Sequence, residues 1–318
     1  ISCLGEVIKT FSNCSTSDFG CICPNQAVQK AAGECILEHC NKREILTATR
    51  LSNTACGIVP NDDASFVPFL YTFAALTSVL VSLRFLARIQ QRASIWWDDW
   101  SILGSVLVMI PWTSVCLLYR QHGGGRDIWS LTPEDVDQLL KLFWISTFFY
   151  LVSRCLTRLS IICFMLRLFS VAGSKRLIQA CLVFNIALSG TFLLVITFQC
   201  QPASQFWHSW DHMHQGTCID LWAMILSAGI FAMLFDIFIM LLPLVWIVKL
   251  QFSLAKKLVT AMMMSLGVVV IAVSVMRLVV LRRFVIDPNI SATFPSVTIW
   301  AGLDLHVSLI CACLPSLR

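Results

Sequence analysis

The chain has 318 residues, of which 57% are hydrophobic and only 13% charged, and its mean hydropathy is +0.77. So apolar a mixture excludes a water-soluble globule of this length. The formal net charge of +5 invites a nucleic-acid reading, but the basic residues are scattered at the ends of apolar runs. They form no patch interleaved with aromatics, and they read as membrane flanks.

The apolar residues are unevenly placed. Residues 1–60 form a polar, cysteine-dense domain, and residues 61–318 form a series of long apolar runs separated by short polar breaks. The first segment carries Cys3, Cys14, Cys21, Cys23, Cys35, Cys40 and Cys56, seven of the fifteen cysteines. That density points to a covalent framework standing in for a small core, and hence to an oxidising compartment. A cluster of free thiols or a zinc site is the competing reading, but one Cys-x-Cys and no Cys-x-x-Cys is poor zinc spacing. No cleavable signal precedes Ile1, and the odd cysteine count leads us to expect a segment before it that was removed.

Crossing roughly 30 Å of hydrocarbon takes about 20 apolar residues in a helix. Seven stretches qualify: Phe66 to Ile89, Asp99 to Tyr119, Leu139 to Phe169, Leu177 to Gln199, Trp222 to Val248, Leu258 to Arg282 and Phe294 to Pro315. The fourth and seventh are the weakest by pattern, since they contain Ser189 and Gly190, and Asp304 and His306. An odd number of spans puts the termini on opposite sides. With the cysteine domain outside, the cytoplasmic loops carry Arg84, Arg88, Arg92, Arg167, Lys175, Arg176, Lys249, Lys256 and Lys257. The outer loops carry Arg120, Arg126, Lys141, Arg282 and Arg283, so nine basic residues stand inside against five outside. This charge bias and the disulfide argument agree on an outer N-terminus and a cytoplasmic C-terminus.

Trp96, Trp97 and Trp100 at one end of the second span, and Trp207, Trp210 and Trp222 between the fourth and fifth, read as aromatic belts. Asp98 and Asp99 open the second span, where they favour the helix N-terminus, and we prefer that role to a catalytic carboxylate pair. The third span has its own start signal in Thr132, Pro133, Glu134 and Asp135, so its helix is expected to begin outside the bilayer. Gly123, Gly124 and Gly125 before it read as a flexible outer loop. With no following Lys-Ser/Thr and no preceding strand, they are not a phosphate cradle. Asn289-Ile290-Ser291 is a glycosylation sequon in a loop expected outside.

Ionisable side chains within spans are costly and face the bundle interior by default. Here they are Arg154, Arg158, Asp236, Arg277 and Asp304, with His306 beside the last. Counted inward from the span ends, Arg154 lies level with Asp236, and Arg277 lies within reach of Asp304. We expect these two interhelical pairs, with Arg158 competing for Asp236, serving either to fix helix register or to switch. No lysine occurs between Phe294 and Arg318, which argues against a retinal Schiff base in the seventh span. His208, His212 and His214 lie in the loop after the fourth span at offsets that suit three zinc ligands. A wet polar loop stapled by Cys200 and Cys218 is the plainer reading. Scarce histidine and the lack of carboxylates paired at one depth disfavour an intramembrane enzyme.

The cysteine spacing of residues 3–56, with Cys21-Ile-Cys23, then Cys35-x4-Cys40, then Cys56 after fifteen residues, resembles the eight-cysteine fungal extracellular membrane domain called CFEM. The resemblance places the family's first cysteine just before Ile1. It implies disulfides Cys14–Cys21, Cys23–Cys56 and Cys3–Cys35, which leaves Cys40 for the missing partner. In haem-binding members an aspartate between the third and fourth cysteines ligates iron, and Asp18 matches it, so haem is the cofactor the resemblance suggests. The membrane part resembles the rhodopsin-like seven-span receptors that follow such a domain in surface-sensing proteins of filamentous, often plant-infecting, fungi. The matching stretches include Trp97-Asp98-Asp99-Trp100, Gly125-Arg126-Asp127-Ile128-Trp129, Cys200-Gln201-Pro202 with Cys218, Asp236 through Pro243, and Cys313-Leu314-Pro315. Arg158 stands where many relatives have lysine, and Asp304 where many have glutamate.

These readings give an all-α fold, a seven-helix transmembrane bundle preceded by a small disulfide-rich helical domain. The function they imply is a plasma-membrane receptor for an extracellular ligand or surface cue. By resemblance it signals to a heterotrimeric G protein through the basic loops near Arg167 to Arg176 and Lys249 to Lys257. Haem or iron capture is the alternative.

Overall fold

The structure is a computed structural model. It describes residues 18–92, 94–168, 172–211, 213–249 and 254–314, together with Val7, Thr10 and Cys14.

The cysteine-rich domain has three described helices: α1 (Phe19–Ile22), α2 (Gln26–His39) and α3 (Lys42–Ala55). Each starts on a side-chain cap. Asp18 accepts from the Cys21 N–H, Asn25 from those of Ala27 and Val28, and Asn41 forms a reciprocal box with Glu44. Its core is small, with Val7, Ile22, Val28 and Ala32 packed beside Cys14 and Cys35. Disulfides Cys14–Cys21 and Cys23–Cys56 staple it. Cys35 is also disulfide-bonded; Cys3, its expected partner, lies outside the described residues. Cys40 is a free thiol.

Among the described residues, seven helices are long and apolar enough to cross a membrane. In chain order the spans lie in the helices Phe66–Gln90, Trp97–Gln121, Pro133–Leu168, Ala172–Phe198, Leu221–Lys249, Leu254–Ile286 and Ile290–Cys313. Exposed apolar side chains such as Leu76, Val79, Val183, Leu194, Phe231 and Phe238 form the surface that faces lipid. The two spans weakest in sequence are the extremes of burial. The seventh is 61% buried within the protein and the fourth 17%. The small and polar residues of the seventh suit a central helix. At Gly302 an added Cβ would stand 2.8 Å from the ring of Phe69 and 3.2 Å from that of Trp112, so a larger residue there would force these rings to move.

The third helix has 36 residues, about 54 Å at 1.5 Å each, and projects well beyond the hydrocarbon. Thr132 and Asp135 close a reciprocal cap at its start. The face of the bundle that carries the cysteine-rich domain is called the domain face below, and the other the far face. On the domain face, β1 (Cys200–Gln201) and β2 (Thr217–Cys218) form a short antiparallel ladder closed by the Cys200–Cys218 disulfide.

Four expectations need correction. The three-glycine segment is a close-packed crossing: the Gly125 N–H donates to Ser291 O, its carbonyl accepts from the Asp63 N–H, and a Cβ there would collide with Asp63 O. Gly123 and Gly125 both have positive φ, which is why glycine is needed. Asn289 is not displayed for modification, since its amide donates to Asp127 and accepts from the Ile128 N–H. Trp207 and Trp210 are not merely membrane-facing but engaged within the protein; Trp207 packs edge-on against Trp144, and Trp210 donates to Asp137. Finally, Arg84 and Arg88 are not loop charges but lie buried inside the bundle.

Candidate functional site

On the third helix Tyr150, Arg154 and Arg158 recur every four residues and therefore share one face. That face meets Asp236 of the fifth helix, Ser274 and Arg277 of the sixth, and Asp304 and Ser308 of the seventh. Arg158 holds Asp236 bidentately, with Nε 2.7 Å from Oδ1 and Nη2 2.8 Å from Oδ2. Arg154 Nη2 donates to the same Oδ2 at 2.8 Å, lies 3.1 Å from Asp304 Oδ1, and Nη1 bonds the Ser308 hydroxyl. Asp304 also accepts from Tyr150, from Ser274 at 2.8 Å and from Arg277 Nη1 at 3.2 Å. The Arg277 guanidinium lies 4.5 Å from the centre of the Tyr150 ring. One ion network thus joins four spans, with three guanidiniums around two carboxylates.

A cavity of about 110 Å³ lies on the domain-face side of this network. Its walls are aromatic and aliphatic, among them Trp112, Phe143, Trp144, Phe192, Phe206 and Phe294, and its polar groups include Arg277, Tyr150 and Gln199. A second cavity of about 60 Å³, lined by Arg154, Arg158, Asp236 and apolar residues, lies on the other side. The ions are therefore a partition with space above and below.

A second ion cluster closes the far face, where sequence reasoning placed only caps and flanks. Arg84 is fully buried and donates Nε to Asp99 at 2.8 Å, Nη2 to Asp98 at 2.5 Å and Nη1 to the Ala312 carbonyl at 2.6 Å. Arg88 adds a 3.0 Å bond to Asp98, whose backbone carbonyl accepts from Ser160. The first, second, third and seventh spans are joined there. The cap reading of Asp99 also holds, since its carboxylate accepts from the Trp96 N–H at 3.3 Å. The sequence signal was available: the first two spans are antiparallel across a short loop, so basic residues a turn or so inside one end face acidic residues opening the next.

Residues 83–318 match a family model described as the fungal rhodopsin domain. The chain belongs to the fungal rhodopsin domain family. Its residues 1–57 match the CFEM domain. Similar proteins include the wortmanamides biosynthesis cluster protein C of Talaromyces wortmannii, 24% identical over 81% of this chain and 71% of that protein. A SAT4 family membrane protein of Emericella nidulans is 29% identical over 70% of the chain, which spans just over half, 56%, of that relative. The receptor GIN3 of Arthrobotrys oligospora is 22% identical over 81% of the chain and 62% of its own length. No solved structure matches the chain. Among the described residues, no lysine lines either cavity that the ion network separates.

In this fungal rhodopsin domain protein the CFEM domain is tied to the domain face by Arg43 of α3. Arg43 lies 2.6 Å from both Asp137 and Asp211, and 5.6 Å from the Trp210 ring centre. Leu46 of the same helix enters the core of the bundle. Asp62, after α3, pairs with Arg120. Burial pushes the Asp211 carboxyl up, but bonds from the Met213 N–H and Arg43 outweigh it and hold the pKa below the usual value; Arg120 does the same for Asp62. Both folded pKa values are depressed, so the ties are complete above about pH 4 and are lost as pH falls through the lower folded values. Arg43→Ala is expected to weaken docking by about 2 kcal/mol, seen as faster hydrogen exchange in α3 with the spans unchanged.

His208 and His214 stack ring on ring at 4.5 Å, with Nδ1 atoms near Asp137 and Asp211 respectively. His212 lies outside the described residues, and among those described no cluster of three ligands suits a metal ion. Asp18 is exposed, and one of its oxygens caps α1. The other has no partner among the described residues, so an oxygen is free for an iron ligand bond.

Proposed function

We propose that the chain is a cell-surface receptor of the fungal plasma membrane, with the CFEM domain outside and the C-terminus in the cytoplasm. Orientation is supported by redox chemistry: among the described residues all disulfides lie in the CFEM domain or on the domain face, while Cys116, Cys155, Cys163, Cys181 and Cys311 of the spans form none. The observation that carries the reading is the position of the ion network. It is the floor of the domain-face cavity and bonds four spans at once. A ligand that displaces Arg277 therefore alters the field at Asp304 and, through it, at Arg154 and Asp236. Such a group biases the bundle between arrangements that a cytoplasmic partner reads. The mechanism is binding, with no covalent step, and the relative named as a receptor agrees with it.

The partner is a heterotrimeric G protein, docking near Arg167, Lys175 and Arg176. Cells expressing Arg154→Gln or Asp236→Asn at the native surface amount are expected to lose cue-dependent nucleotide exchange on that G protein. An unchanged response would remove the network from signalling.

The free oxygen of Asp18 favours a second reading, haem or iron capture by the CFEM domain. It predicts a Soret band when haem is added to the full chain and its loss in Asp18→Ala. No band in the native chain would dismiss it.

A further inference from the structure

We infer that the domain-face cavity takes an amphipathic carboxylic acid, with the carboxylate on Arg277 and an apolar, unsaturated or aromatic body against the walls. The inference rests on the receptor reading for its biological role, but its chemistry stands on the cavity alone. Three guanidiniums share two carboxylates in the network, so among the described residues one positive charge is left without a counter-ion. The unshared share falls to Arg277. Asp236 is taken bidentately by Arg158 and by Arg154, whereas Arg277 makes one hydrogen bond, Nη1 to Asp304. Its Nε and Nη2 have no partner among the described residues, its side chain is 15% exposed, and it lines the cavity. Tyr150 supports one face of the guanidinium, leaving the fork of N–H groups in the geometry that carboxylates match. Among the described residues no acidic side chain lines this cavity, so the matching anion is supplied by a ligand.

The other end of the cavity supplies a second, independent sign of a ligand. Gln199 is 5% exposed and lines the cavity, and its amide nitrogen is buried with no hydrogen-bond partner. A buried donor left unpaired is destabilising, and a ligand acceptor relieves it. Arg277 lies nine residues before Ile286, the end of its helix, a depth of about 13 Å. Gln199 directly follows the fourth helix on the domain face. The fitting molecule therefore carries its carboxylate deep, an apolar stretch past Trp144 and Phe192, and a carbonyl or hydroxyl oxygen near the mouth.

The test is binding to purified full-length protein, read by quenching of tryptophan fluorescence, since Trp112 and Trp144 line the site. The probes are a soluble arylalkanoic acid and a medium-chain fatty acid that reaches the protein through the membrane, each beside its methyl ester and the corresponding primary amine. Acids are expected to bind at least about tenfold more tightly than esters, and amines not to compete. Saturation by the aryl acid alone marks an aqueous source, and by the fatty acid alone a lipid one. Arg277→Gln should remove the preference for acid over ester, Arg277→Lys should keep part of it, and Gln199→Leu should weaken only acids bearing the distal oxygen. Melting curves of each variant verify folding, and Arg277→Lys keeps the test open if Arg277→Gln fails to fold. Equal binding of acid and ester, preference for the amine, or no binding by any acid overturns the ligand class and leaves the signalling test of the network standing. Acid binding without any signalling response retains the ligand class and overturns the receptor.

Discussion

Arg84→Leu is expected to be the most damaging single substitution in the bundle, lowering its stability by about 3–5 kcal/mol. Arg84 has no exposed surface and serves three acceptors on two helices, Asp98, Asp99 and the Ala312 carbonyl. Removing it leaves two adjacent carboxylates in a buried site with Arg88 to share and Arg167 no nearer than 3.9 Å to Asp98, and frees a backbone carbonyl from its side-chain donor. Asp98 Oδ1 already lacks a hydrogen-bond partner, and the one unused donor beside it, Arg88 Nε, does not replace the three bonds that Arg84 makes. The cost is read from thermal unfolding of the detergent-solubilised full chain. Adding Asp98→Asn and Asp99→Asn to Arg84→Leu is expected to recover part of the loss, because the damage comes from uncompensated charge and not from a cavity. A loss below about 1 kcal/mol for the single variant, or no recovery, would mean that the cluster is solvated and not a structural tie.

The second large effect belongs to Arg154. Arg154→Gln is expected to cost about 3 kcal/mol, and more than Arg158→Gln, although both touch Asp236. The reason is geometric. Among the described residues Arg158 bonds only Asp236 and the Ala232 carbonyl, whereas Arg154 reaches Asp236, Asp304, Ser274 and Ser308 and so ties three neighbouring spans to its own. In a double-mutant cycle Arg154→Gln and Asp236→Asn should show a coupling of about 0.5–3 kcal/mol. Equal costs for the two arginines would place the weight of the network on Asp236 alone.

How far these sites could be read from sequence depended on which local rule a residue satisfied. Arg154, Asp236, Arg277 and Asp304 break the apolar pattern in mid-span, where no local role explains a charge. Depth counting then brought partners together that the structure also brings together. Arg84, Arg88, Asp98 and Asp99 lie near span ends, where basic flanks and acidic caps have sufficient local explanations, and those explanations hid a tertiary one. The glycines at 123–125 failed for a related reason. Permissive backbone reads as flexibility, whereas here positive φ and the absence of Cβ allow Asp63 and Ser291 to approach. The cavity was not legible at all, because it is made by the gap between six spans and a loop and not by any motif. Gln199 became visible only once its unpaired amide was seen beside that gap.

The most direct test of the account is whether the central ions couple the two faces. Hydrogen exchange of the purified full chain, compared between native and Asp236→Asn proteins, measures this residue by residue. The account predicts faster exchange in the far-face halves of the fifth and sixth helices of the variant, with the CFEM domain and β1–β2 unchanged. Identical exchange in those halves, with Asp236→Asn folded, would contradict it.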